Sequence, residues 1–153
     1  MRQFCDSKGR PWTLTVTVGT IKRVKALVGV DLLDLTAGNP PLCNRLATDI
    51  MLVCDVAFAL VKPVADSMSP PVTDEEFGES LGGDAIAKCH EALQEEIADF
   101  FRQSGRTEMA GMIEGAKRLT TAAIREATQR VQAVDVDKII STILNEQSTN
   151  SPG

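Results

Sequence analysis

Residues 42–61, LCNRLATDIMLVCDVAFALV, constrain the fold more than any other stretch of the chain. Apolar side chains recur at Leu42, Leu46, Ile50, Val53, Ala57 and Val61. Steps of three and four match the period of a helix and not the alternation of a strand. Met51, Cys54, Phe58 and Leu60 widen that face, so the spacing predicts a helix with neighbours on more than one side, at the centre of a core. Asn39, Pro40 and Pro41 supply a start, a capping side chain followed by residues whose missing amide hydrogen is harmless there. Lys62-Pro63 reads as the stop, because proline disfavours helical geometry in the residue before it. A helix this apolar invites a membrane reading. Arg45, Asp49 and Asp55 oppose it, each costing roughly 2.5–3.5 kcal/mol at the bilayer centre.

With 153 residues the chain can bury most of its unfolded surface in one core. Aromatic residues make up 4% and tyrosine is absent, which suits helix packing better than a β-sandwich. A formal charge of −5 argues against a general nucleic-acid binder. The basic group Lys22, Arg23 and Lys25 reads as a solvated helix face. Cys5, Cys43, Cys54 and Cys89 have neither CxxC pairing nor zinc-type spacing, and the opening MRQFCDSKGR contains no apolar signal segment. A reducing cytoplasm is the expected setting, with free thiols behaving as small hydrophobes.

The N-terminus reads as a β-hairpin. Phe4 and Cys5 lead into the turn cluster Asp6-Ser7-Lys8-Gly9, after which Trp12, Leu14, Val16 and Val18 alternate with threonines. Phe4 and Trp12 are placed to pair across the strands. Such a ribbon is marginal alone, so helices must cover its apolar face. Thr20 is then expected to cap a short helix ending at Gly29, and residues 30–35 to add a further helical turn. Thr73-Asp74-Glu75-Glu76 has the form of a capping box opening a helix with Phe77 and Leu81 on one side. Asp84 is the expected cap of a helix over residues 85–101, its stripe being Ile86, Cys89, Leu93, Ile97 and Phe100. Beyond Ser104 a long helical pattern places Met109, Met112, Ala116, Leu119, Ala123, Ala127 and Val131 on one thin stripe. A last short helix carries Ile139, Ile140, Ile143 and Leu144, and residues 147–153 read as a polar, disordered tail.

The expected architecture is therefore α+β and mostly α: a hairpin packed on a small helical bundle over residues 1–103, then a C-terminal helical arm over 104–146. No dinucleotide, P-loop or GxSxG motif is present. His90 could serve a nucleophilic Cys89 or Cys54, but adjacent helical residues point about 100° apart, and a hydrogen-bonded histidine at a helix contact is the simpler reading. Gly82-Gly83-Asp84 reads as a helix junction and not an anion cradle. The acids Asp74, Glu75, Glu76 and Glu79 suit the positive end of a helix without needing a metal. Catalytic residues, metal ligands and cofactors are accordingly not expected. The Met109–Val131 stripe is the candidate protein-binding face.

In order, the features are a hairpin ending Trp12-Thr13-Leu14-Thr15-Val16-Thr17-Val18, the helix Ile21-Lys22-Arg23-Val24-Lys25 and Gly29-Val30-Asp31-Leu32. An apolar helix over 46–61, the Val72-Thr73-Asp74-Glu75-Glu76-Phe77 helix start and the ending Asp99-Phe100-Phe101 follow. This order resembles the small tail assembly chaperones of long-tailed phages and gene transfer agents, over residues 1–103. The resemblance implies a protein of the bacterial host cytoplasm, encoded by a phage or prophage, that oligomerises. It would coat a helical tape-measure protein, recruit tail-tube subunits and have no active site. Residues 104–153 have no counterpart in it. The rival expectations are a structural virion component, such as a tail-completion or connector subunit, and a small cysteine-dependent enzyme.

Overall fold

The computed structural model describes residues 1–133 and 142–144. Among these, strands β1 (Arg2–Cys5) and β2 (Pro11–Leu14) are followed by α1 (Val18–Val28), α2 (Leu42–Thr48), α3 (Ile50–Ser67), α4 (Asp74–Glu79), α5 (Ala85–Gln103) and α6 (Thr107–Ala133). The fold is mostly helical, with the antiparallel hairpin packed against a helical bundle. Two compact units divide the chain, Met1–Lys117 and Arg118–Gly153, and the boundary falls within α6. Of the expected last helix, only residues 142–144 are described, and they are helical. Ile139, Ile140 and the tail from Gln147 lie outside the described residues.

In the hairpin Phe4 stands opposite Trp12 and Arg2 opposite Leu14. Phe4, Trp12 and Leu14 are buried, whereas Arg2, Gln3, Pro11 and Thr13 are exposed, as period two requires. The Trp12 ring, however, meets Phe77 of α4 edge-on, with centroids 5.3 Å apart. The strand is shorter than its alternation suggested, because Thr17 and not Thr20 caps α1. Thr17 Oγ1 accepts from Thr20 N (3.2 Å) while Thr20 Oγ1 accepts from Thr17 N (2.8 Å), a capping box built from two threonines. Val18 therefore begins the helix. Gly29 ends it with φ 82°, a left-handed conformation that glycine adopts without a Cβ penalty. Residues 30–35 form turns instead of helix: the Asp31 carboxylate accepts from Leu33 N (2.9 Å) and Asp34 N bonds back to the Asp31 carbonyl (3.0 Å). Leu32 and Leu35 still reach the core.

The single helix expected over 42–61 is two. Asp49 sits in an extended conformation between them and caps α3, its Oδ1 accepting from Leu52 N (3.1 Å). An acid in the middle of an apolar run thus acts as a boundary. The redirected chain lets α2 and α3 each bury its own face, Leu42 and Leu46 on one, Val53, Val56, Ala57 and Leu60 on the other. Helix α3 then packs against α1, α2, α4, α5 and β2, making it the centre of the unit.

At its far end α3 runs through Pro63 to Ser67 instead of stopping at Lys62. A proline here removes the amide hydrogen that would bond to the carbonyl four residues earlier, that of Ala59. Arg23 Nη1, from α1, donates to that carbonyl and to Leu60 O, both at 3.3 Å. Arg23 is therefore half-buried and structural, in contrast to the solvated face expected for it. Replacing Arg23 by Met should destabilise the unit by about 1–3 kcal/mol, the scale of a hydrogen bond from a charged donor. In a Pro63→Ala background the same change should cost less, because an amide hydrogen is restored. Urea unfolding of the single and double variants checks this, and an equal loss in both backgrounds would refute it.

Helix α5 buries Cys89, Leu93, Ile97 and Phe101. Its expected Asp84 cap makes no side-chain hydrogen bond to the helix end; Asp84 pairs with Lys88 instead (3.0 Å). Glu96 is buried as well, and Oε1 accepts from Val16 N (3.0 Å), fixing the chain where β2 gives way to α1. Thr73 caps α4 as anticipated, accepting from Glu76 N (3.2 Å). The Glu76 carboxylate does not complete that box and reaches Arg10 (3.3 Å) and Lys8 (3.5 Å) in the hairpin loop.

Candidate interaction surface

The stripe expected on α6 divides at the boundary between the two units. Within Met1–Lys117, Ala116 is buried, and Met109 and Met112 are half-buried against the core. The side chains that anchor this part most deeply are Ala110 and Ile113, at 2% exposure each, one position beyond the two methionines selected from spacing. Polar pairs flank the anchor: Arg102 of α5 holds Glu114, and Glu91 meets Lys117 at 3.8 Å. Arg102 also binds Asp99, which binds Arg2 of β1 (both 2.7 Å), so hairpin, α5 and the start of α6 share one charge network.

Past Lys117 every described side chain of α6 except Thr120 is exposed. Leu119 is 75% exposed, Ile124 63% and Val131 73%, with Ala123 and Ala127 also exposed. At about 100° per residue, Leu119, Ala123, Ala127, Val131 and Ile124 fall within an arc of about 140°. Ile124 escaped the stripe because it is out of step with the four-residue spacing, although seven residues bring it almost into line with Val131. Arg118 and Arg125, also seven apart, occupy the other side of this half-helix. The seven residues of the sequence stripe thus serve two ends: Met109, Met112 and Ala116 hold α6 to the core, while Leu119, Ala123, Ala127 and Val131 are bare.

The residues considered for catalysis are arranged differently. His90 Nε2 lies 2.6 Å from the carbonyl of Leu46, near the end of α2 where carbonyls lack helical partners. A carbonyl can only accept, so Nε2 carries the hydrogen. Burial pushes the Cys54 thiol up to about 11, helped by the charges of Asp55 and Asp74. Cys89 is pushed up to about 12, again chiefly by burial. Nucleophilic cysteines need the opposite shift. Among the described residues no three His, Cys, Asp or Glu side chains are grouped so as to hold a metal ion.

A further concavity, of about 380 Å³, lies between α1, α3 and α4. Leu27, Val28, Phe58 and Ala59 give it an apolar lining, and Asp55 and Asp74 stand at its border. No helix among the described residues is long and apolar enough to cross a membrane. Comparison of the chain with protein-family models, curated proteins and solved structures finds no match.

Proposed function

We propose that the chain is a non-enzymatic assembly chaperone that holds a helical, aggregation-prone client on the outer half of α6. The observation carrying this reading is the bare arc of Leu119, Ile124 and Val131 on a formed helix. Covering each such side chain would contribute roughly 1.5–3 kcal/mol before entropic losses. The elevated thiols and the histidine committed to a backbone carbonyl support binding over cysteine chemistry. Following the family resemblance, the client is a tape-measure-like protein of a phage-type tail. The chaperone recruits tail-tube subunits to it in the bacterial cytoplasm, self-associates, and is released before the particle is complete.

The test uses the full chain with Leu119, Ile124 and Val131 all changed to Asp, co-expressed with a tape-measure protein encoded by a neighbouring gene. Co-purified client should fall at least about tenfold, since interface centres of this kind dominate binding. The melting temperature of the Met1–Lys117 unit should not change, because none of the three side chains belongs to its core. Undiminished capture would refute this face. Retention of the chain in finished particles would replace the chaperone by a structural virion component.

A further inference from the structure

The groove between α1, α3 and α4 has apolar walls and two acids, Asp55 and Asp74, that no cation pairs among the described residues. Asp55, Phe58, Ala59 and Lys62 lie on one face of α3, at i, i+3, i+4 and i+7, and face Leu27 and Val28 of α1. Leu27 remains 53% exposed although apolar. Lys62, the cation bordering the groove, is committed to Asp66 at 3.0 Å. Neither Asp55 nor Asp74 has an ion pair or hydrogen bond among the described residues. Partial burial, then the charges of Asp74 and Asp49, push the Asp55 carboxyl above its ordinary value. Both carboxylates are exposed at the border of the groove, without a cationic partner among the described residues.

The outer half of α6 has the complementary set. Between residues 118 and 131 it carries Arg118, Arg125 and Arg130 against Glu126 alone, and Arg130 is paired with Glu126 at 2.7 Å. That leaves Arg118 and Arg125 without ion pairs among the described residues. They stand two turns apart on one side, roughly 10 Å along the axis, with Ala122 between them and Leu119 about a third of a turn round the helix. One surface offers two unpaired carboxylates around an apolar groove; the other offers two unpaired guanidinium groups beside apolar side chains.

We propose that the groove is the docking site for the outer half of α6 from a second copy of this chain. Arg118 and Arg125 lie against Asp55 and Asp74, and Leu119 covers Leu27 and Phe58. This contact deepens the chaperone reading and rests on it, since it gives self-association a site and makes a second copy compete with the client for the same helix. The contact then covers Leu119 and the apolar walls of the groove, while Ile124 and Val131, turned away from the two arginines, stay bare.

Charge exchange tests the contact. One full-length variant carries Asp55→Lys and Asp74→Lys, and another carries Arg118→Glu and Arg125→Glu, with thermal melts confirming that both fold. In sedimentation equilibrium the unaltered chain should self-associate, more weakly as salt rises. Each variant alone should associate at least about tenfold more weakly, because like charges now face each other. An equimolar mixture of the two should regain association, the basic groove of one receiving the acidic helix of the other. An unaltered chain that stays monomeric at its highest soluble concentration would overturn the proposal. So would variants that associate normally, or a mixture that fails to recover. Client capture by the groove variant is read separately: if it persists while self-association is lost, the chaperone reading and the groove both stand. If the unaltered chain self-associates but captures no client, only the chaperone reading fails.

Discussion

An Asp6→Ala chain is expected to lose about 3 kcal/mol of stability in its first compact unit, one of the two largest effects foreseen for any single substitution here. The Asp6 carboxylate is fully buried and accepts from four donors. Oδ1 takes Lys8 N and Arg10 N (2.9 Å each), and Oδ2 takes Arg10 Nε (2.8 Å) and Trp12 Nε1 (2.9 Å). The Arg10 guanidinium lies 5.7 Å from the Trp12 ring and also reaches Glu76. One side chain thus closes the hairpin loop, satisfies a buried indole and positions the arginine that joins the loop to α4. Alanine leaves the indole N–H without an acceptor in the core, the costly outcome for a buried donor.

The same carboxylate sets an acid limb. Burial raises its pKa, but the hydrogen bonds from Trp12, Arg10 and Lys8 outweigh that and lower it from 3.8 to about 2. The folded state therefore prefers the ionised form. Its contribution, roughly 2 kcal/mol by linkage, is complete above about pH 4 and disappears as pH falls towards 2. Asp6→Asn should be less stable than the unaltered chain at pH 6 and should close most of that gap by pH 2. Urea unfolding at both pH values measures the difference, and a gap independent of pH would sink the assignment.

Phe77→Ala is the second large effect, about 3–5 kcal/mol. Phe77 is wholly inaccessible, meets Trp12 edge-on at 5.3 Å and lies 5.4 Å from the tilted ring of Phe58. Removing it takes the shared neighbour from two aromatic rings and opens a void between α4, the hairpin and α3. Helix α4 is short, so it has few other anchors with which to collapse the space. Phe77→Leu fills most of the volume and should cost markedly less. Denaturant midpoints for the pair decide the matter; near-equal losses would show that the lost ring contacts, and not the void, set the cost.

Patterns carried by neighbouring residues were legible in the sequence, and those made by distant ones were not. The hairpin, the helix over 85–101 and the αL end at Gly29 follow from local alternation, period and turn chemistry. The break at Asp49 was missed because an acid inside an apolar run looks like an exposed position, whereas its oxygen is at capping distance from Leu52 N. Pro63 misled for a different reason: the amide it lacks is replaced by Arg23, forty residues earlier in the chain. Asp6 looked like an ordinary turn residue, since nothing local announces that Trp12 will bring its indole N–H to it. On α6 the four-residue stepping selected Met109 and Met112 and passed over Ala110 and Ile113, because a helix face has width that a single line of positions does not capture. The groove could not be read at all, as it assembles side chains from residues 27 to 74.

Helix α6 is continuous across the unit boundary, with its first turns fixed to the core by Ala110, Ile113 and Ala116. Starting a helix in water is the unfavourable step, and adding residues to an existing one is not. The outer half, of a length that would be marginal as a free peptide, is seeded by the inner half. Any partner that docks on Leu119, Ile124 and Val131 meets a surface already ordered, and the entropy of folding that recognition element is not charged against the association.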